Sequence, residues 1–406
     1  MAILEGIQIQ NYRALRHVTF GRTISSTEEA LPRLMAVIGA NGVGKSSLLD
    51  ALGFVGDCLN EGVEAACDKP HRGGFERLRT QGSTGAIQFE IRYRENKNSS
   101  PINYTLEIDA DKHGRPRVLH ERLRQRLKGQ KYGQPKSFVD LTQGRGVVWA
   151  GESTEEKEGS ASTTVAMSDH QVLAISTLGT LSDHPRISAF RAFLGGWYLS
   201  YFTPESARSQ PISGAEPHLN RIGSNLANYL QFIERSKPKE FQVMLQRLAL
   251  KVPGLTGIKH VKAQDSRLLL AFDAQGYDKP FFQQDMSDGT LKFLAYLLLM
   301  EDPDPAPLVG IEEPENGLHH QLLGLLASEF KAFAQEARGP QVLITTHAPS
   351  LIDALTPKEV WILDKAANGF AKVHRAADIP EVQAMFDEGV PMGNLWYSNH
   401  FGIATP

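Results

Sequence analysis

The sequence predicts an α/β fold: a mixed sheet core, an antiparallel β lobe and a helical insertion. Three observations lead there. A short apolar run, a glycine-rich loop and the start of a helix follow one another at residues 34–52. Apolar and polar residues alternate at 86–93 and 103–108, the pattern of half-buried strands. Continuous apolar runs at 308–311, 342–345 and 360–363 suit parallel strands buried on both faces.

Length and composition bound the rest. The 406 residues, 41% of them hydrophobic, can bury a large core and suggest two or three lobes. A net charge of −3 gives no global field toward nucleic acid, though it leaves room for a local patch. Cys58 and Cys67 lack metal-site spacing and read as reduced thiols. No run is long and apolar enough for a membrane span, and the N-terminus lacks a basic-then-apolar signal. The expectation is a cytoplasmic protein with no membrane partner.

In chain order, residues 3–20 read as strand, turn and strand, and 22–32 as a polar loop. The segment 67–85 is basic and glycine-containing, with Arg72, Arg77 and Arg79. An antiparallel meander follows, with a third strand at 117–119. Residues 152–164, rich in Glu, Ser, Thr and Gly, read as a mobile loop. Helical spacing covers 173–194, broken at Pro185, and 225–250 apart from Pro238; 196–202 reads as a strand. After a strand at 268–272 the texture is α/β, with an amphipathic helix at 318–334. The expected division is an N-terminal lobe at 1–150, a mobile loop and largely helical insertion at 151–265, and a C-terminal lobe at 266–406.

Four motifs carry chemistry. Gly39-Ala40-Asn41-Gly42-Val43-Gly44-Lys45-Ser46, with Ser47 beside it, fits the phosphate-binding pattern G-x-x-x-x-G-K-[ST] between a strand and a helix. Its glycines let successive amides turn toward an anion at a helix N-terminus. Lys45 would reach the β- and γ-phosphates, and the Ser46 hydroxyl would ligate Mg²⁺. The apolar run before Glu312-Glu313-Pro314-Glu315 puts acids at a strand end: Glu312 for the metal, Glu313 to polarise the attacking water. His347 ends the next strand, within reach of the γ-phosphate or the water. Ser287, with Gly289, caps a helix at 291–300 and offers a second anion-binding surface.

A phosphate loop, a Ser-x-Gly-x signature, an acid pair and a switch histidine, in that order, resemble the ABC-type ATPases. Within them the chain resembles the RecF/SMC/OLD-like branch. The opening Asn11-Tyr12-Arg13 resembles that branch's N-[FY]-R start, the acids read Glu-Glu-Pro-Glu, and the signature reads Ser-Asp-Gly-Thr. The resemblance implies a P-loop NTPase of ABC-head type that binds ATP and Mg²⁺ and hydrolyses ATP. It implies a head-to-tail dimer, with Ser287 and Gly289 contacting the γ-phosphate held by the partner's Lys45. Glu315, Asn316 and Gly317 would lie at the seam, and Arg13 would reach a phosphate. Gln81 and Gln143 are candidates for the family's lobe-bridging glutamine.

The output is expected elsewhere. The short segment after the last strand is too small for the Toprim nuclease of OLD proteins, and no coiled coil is present. One expectation is an ATP-gated regulator of a separate effector, such as a nuclease, in anti-phage defence. Another is a RecF-like DNA-binding ATPase in repair. There, residues 120–128, Lys131, Lys136, Arg72, Arg77 and Arg79 would contact phosphates; the same basic run also reads as a solvated charged helix. A third is an ATP-gated scaffold with little hydrolysis.

Overall fold

The computed structural model describes residues 2–24, 26, 28–126, 135–149, 162–252, 254–337 and 339–403. The chain opens on the hairpin β1 (Ile3–Tyr12) and β2 (Leu15–Gly21), then runs through β3 (Leu34–Ile38) into α1 (Lys45–Glu61). Short helices α2 (Val63–Cys67) and α3 (Phe75–Leu78) lead to six strands. These are β4 (Ile87–Arg94), β5 (Ile102–Ala110), β6 (Pro116–Gln125), β7 (Lys136–Thr142), β8 (Arg145–Trp149) and β9 (Ser162–Ala166). Next come α4 (Ala174–Leu178), α5 (Pro185–Gly195), β10 (Tyr198–Ser200), α6 (Pro204–Ala207), α7 (Leu226–Ser236) and α8 (Pro238–Lys251). The strands β11 (Leu255–Lys262), β12 (Leu268–Ala274) and β13 (Phe281–Phe282) precede α9 (Asp288–Met300). The chain then alternates: β14 (Leu308–Glu312), α10 (His320–Gln335), β15 (Gln341–Thr346), α11 (Pro349–Ile352) and β16 (Val360–Lys365). It closes on β17 (Ala371–Arg375), α12 (Pro380–Asp387) and α13 (Met392–Tyr397).

Three sheets result among the described residues. An antiparallel sheet runs β2-β1-β4-β5-β6-β7-β8-β9, a second runs β10-β14-β15-β3-β16-β17, and β11-β12-β13 form a third. The second is parallel except for β17. Its alternating residues feed two cores. Met35, Val37 and Leu343 face α1 and the antiparallel sheet; Leu34, Ala36, Ile38, Val342 and Ile344 face α9 and α10. Burial on both faces is why these strands read as unbroken apolar runs. Helix α1 is clasped between the two large sheets, with Phe54 5.5 Å from the Tyr12 ring and 5.9 Å from Phe89. No helix among the described residues is long and apolar enough to cross a membrane.

Several expectations are corrected. The basic run at 120–128 is a strand as far as Gln125, not a helix, while Lys128 and Lys131 lie outside the described residues. Within β6, Arg122 and Arg124 share one face and Leu123 and Glu121 the other, the latter two buried. The antiparallel sheet continues past residue 150 to Ala166, and a boundary at 265/266 falls inside the β11–β12 hairpin. The loop expected at 152–164 lies outside the described residues up to 161; from 162 it is the start of β9. Strands β7, β8, β11, β13 and β17 add to those the sequence predicts.

Glu121 is an acid on a core face because it caps the start of α4. Its carboxylate accepts from the Ala174 amide at 2.6 Å, the Ile175 amide at 3.0 Å and the Tyr104 hydroxyl at 3.1 Å. Burial nevertheless raises this carboxyl from 4.5 to about 7 against those donors. The folded chain therefore holds this proton more tightly than the unfolded one. The stability it contributes is full below 4.5 and lost as pH rises through about 7. Denaturant titrations should give Glu121→Gln a flatter stability profile than the parent across that window. Glu121→Ala, which strands two amides and a hydroxyl, should lose about 2–4 kcal/mol.

Candidate functional site

The chain leaves β3 through the glycine loop and enters α1 at Lys45. At Gly39 (φ 153°) a Cβ would run into the Leu363 carbonyl, and Gly44 (φ 115°) is the left-handed cap of α1. Val43 anchors the loop in the core; Asn41, Gly42 and Ser46 are exposed, and Ala40 and Ser47 are half-buried. The loop thus presents the N-terminus of a 17-residue helix at the protein surface.

Lys45 is only 4% exposed. Its Nζ donates to the Gly39 carbonyl at 2.8 Å and the Ala40 carbonyl at 3.2 Å, and lies 3.7 Å from Glu313 Oε1. Burial lowers the ammonium below its ordinary range, while Glu313, Glu315 and Glu312 pull it back up. Glu313 leaves β14 in the left-handed region (φ 40°), a conformation that costs a non-glycine residue on the order of 1–3 kcal/mol. The bend brings its Oε1 within 3.6 Å of His347 Nδ1 as well, and Asn316 Nδ2 donates to Oε2 at 3.0 Å. One carboxylate therefore lies between the loop lysine and the histidine, three residues far apart in sequence.

Glu312 ends β14 in register with Thr345 of β15. Neither its carboxylate nor the Ser46 hydroxyl has a hydrogen bond or ion pair among the described residues. A hydroxyl and a carboxylate are hard oxygen donors of the kind that hold Mg²⁺ together with phosphates and water. Glu315 differs from its expected place at a dimer seam. It is 7% exposed and turned inward, where Oε1 accepts from Thr346 Oγ1 and the His347 amide, each at 2.7 Å. The reason is the unpaired end of β15, whose hydroxyl and amide it satisfies. Asn316 and Gly317 are exposed, as a seam would need. His347 Nδ1 is buried 3.1 Å from Glu315 Oε1, yet off the line of a hydrogen bond, so the exposed part of the ring is its other edge.

Ser287 caps α9 and accepts from the Thr290 amide at 3.2 Å. It is not joined to its own phosphate loop by any hydrogen bond. The link between the two motifs runs through the acid turn: a Cβ on Gly289 would sit 2.8 Å from the Gly317 carbonyl. Lys292, 5% exposed, donates to the Asn316 carbonyl at 2.8 Å and lies 3.5 Å from that of Glu313. Arg13 (φ 49°) sits in the β1–β2 turn, where its Nη1 lies 3.2 Å from Asp50 on α1.

Two residues escaped sequence reading. The register Ser200↔Ile311 sets Tyr201 beside Glu312 as the chain leaves β10. Burial, with Glu312 and Asp50 nearby, pushes its hydroxyl up to about 12. Its amide donates to the carbonyl of Arg221, whose guanidinium is 3.9 Å from Asp57. Only the parallel pairing of β10 with β14 could have signalled them. Gln81 and Gln143 both lie exposed in turns. The basic face proposed for DNA also loses members: Arg72 is 3% exposed and bound to Asp50 and Asp57, and Arg122 pairs with Asp140 at 2.8 Å.

Residues 34–353 match the family model described as "AAA domain, putative AbiEii toxin, Type IV TA system". Among solved structures, the chain is similar to an SMC head bound to the C-winged helix domain of ScpA. Identity there is 13%, coverage is 92% of this chain and 97% of that one, and the TM-score is 0.53. It is likewise similar to an SMC head with an extended coiled coil, bound to the C-terminal domain of ScpA, from Pyrococcus furiosus. There identity is 13%, coverage is 96% and 99%, and the TM-score is 0.52. Comparison with curated proteins gave no match. The fold is that of an SMC-head-like ABC ATPase.

Proposed function

The chain belongs to the family described as AAA domain, putative AbiEii toxin, Type IV TA system, and on that footing we propose that it hydrolyses ATP with Mg²⁺ between two copies of itself. The observation that carries this is Glu313, whose carboxylate lies 3.7 Å from Lys45 and 3.6 Å from His347. The loop amides, Lys45 and Ser47 hold the phosphates, Ser46 and Glu312 hold the metal, and Glu313 orients and deprotonates water. His347 meets the γ-phosphate from the next strand. Mg²⁺, when bound by Ser46 and Glu312, would supply positive charge against the negative charge developing on the phosphates.

Among the described residues the Ser287 hydroxyl bonds only to Thr290, and neither Ser287 nor Gly289 has a hydrogen bond to its own phosphate loop, which supports their use on a partner's nucleotide in a head-to-tail dimer. The output is regulation of a separate effector protein, such as a nuclease, in anti-phage defence. The family's description names a toxin system, and the two similar SMC heads each carry a protein partner; both support a chain that works with a partner.

The test measures ATP turnover with and without DNA, and mass in solution with and without ATP. Turnover indifferent to DNA, with mass doubling on ATP, is the expected result. A monomer at saturating ATP removes the dimer, and no turnover in any condition removes the hydrolase.

A further inference from the structure

A buried network beneath the phosphate loop is not used by the chemistry above. Asp50 lies on α1 four residues after Ser46, one turn along the same face. Four groups surround its carboxylate. The Tyr12 hydroxyl at 2.6 Å and Arg13 Nη1 at 3.2 Å meet Oδ2; Arg72 Nε at 2.9 Å and His71 Nε2 at 3.3 Å meet Oδ1. Arg72 also donates to Asp57 Oδ2 at 2.7 Å and to the Ala66 carbonyl at 3.0 Å. Lys69 holds the other Asp57 oxygen at 2.7 Å. The segment carrying Lys69, His71 and Arg72 is thereby strapped to α1. From that strap the His71 carbonyl accepts from Arg13 Nη2 at 2.9 Å.

The two arginines on Asp50 differ. The side chain of Arg72 is 1% exposed, whereas that of Arg13 is 26% exposed. Arg13 belongs to the turn that touches the loop: a Cβ on Gly44 would lie 3.4 Å from Ala14 Cβ. A fully buried, doubly paired arginine thus fixes the aspartate, and the aspartate fixes an arginine that reaches the surface beside the phosphate site. We propose that Asp50, held by Arg72, is a positioning residue that aims Arg13 at the nucleotide's phosphates. A long side chain loses rotamer freedom when it grips a ligand, and fixing it beforehand removes that cost from binding. The assignment rests on the ATPase reading and names how one contact of that site is pre-set.

The experiment is a mutant cycle read by equilibrium ATP binding and steady-state turnover, with Asp50→Asn, Arg72→Lys, Arg13→Ala and the two double variants with Arg13→Ala. Asp50→Asn and Arg72→Lys should each weaken ATP binding roughly tenfold, as loss of one charge-assisted contact implies. The loss should appear in KM rather than kcat. Neither should weaken binding further once Arg13 is alanine. Equal losses with and without Arg13, or a fall in thermal midpoint with ATP affinity intact, overturn the assignment. If Asp50→Asn does not fold, Arg72→Lys, which keeps the charge and loses the planar fork, decides by the same cycle. Normal ATP binding by Lys45→Ala would instead strike the underlying ATPase reading and is recognisable separately.

Discussion

Lys45→Ala is expected to lose ATP binding while remaining folded. The ammonium would contact two phosphates, and charge-assisted hydrogen bonds are worth about 1.5–3 kcal/mol each, so affinity should fall by about a hundredfold or more. The substitution also leaves Glu312 and Glu313 beside the phosphates without the loop ammonium, which adds repulsion. Stability should move the other way or not at all. Lys45 is 4% exposed, burial disfavours its charged form, and its hydrogen-bond partners are loop carbonyls rather than a tight ion pair. Calorimetric ATP titration beside a thermal melt reads both quantities. Unchanged affinity contradicts the loop assignment, and a collapsed midpoint would make the residue structural.

Glu313→Gln should separate binding from chemistry. Glutamine keeps the shape of the side chain but cannot take a proton from water. Positioned general bases contribute about 10²–10⁴-fold, so turnover should drop by at least a hundredfold. ATP affinity should persist or rise, since one negative charge beside the γ-phosphate is gone. With hydrolysis blocked, the ATP-bound pair should accumulate and double the mass seen by light scattering. A variant that turns ATP over normally removes Glu313 as the base. One that stays monomeric at saturating ATP argues against the sandwich.

The phosphate loop was legible because its chemistry dictates residue types at fixed spacing, and the structure places it between β3 and α1 as read. The strand that ends on Glu312 and the one that leads into His347 were legible because burial on two faces leaves a continuous apolar run. What was not legible had competing signals. In β6 every second residue from His120 is basic, a period of two, but Glu121 on the core face broke the apolar alternation and the run passed for a charged helix. Arg72 reads as a surface cation; nothing local announces that Asp50 and Asp57, seven residues apart on α1, would bury it. Tyr201 became a candidate only through strand pairing, which joins residues more than a hundred positions apart.

Lys292 has a consequence beyond its two carbonyls. The tip that would close over a neighbour's nucleotide and the bend that carries Glu313 are joined directly through that side chain. In the proposed pair, that link would let the state of one ATP bear on the other active centre. Two such chains would fire as a coupled unit, with neither clock running alone.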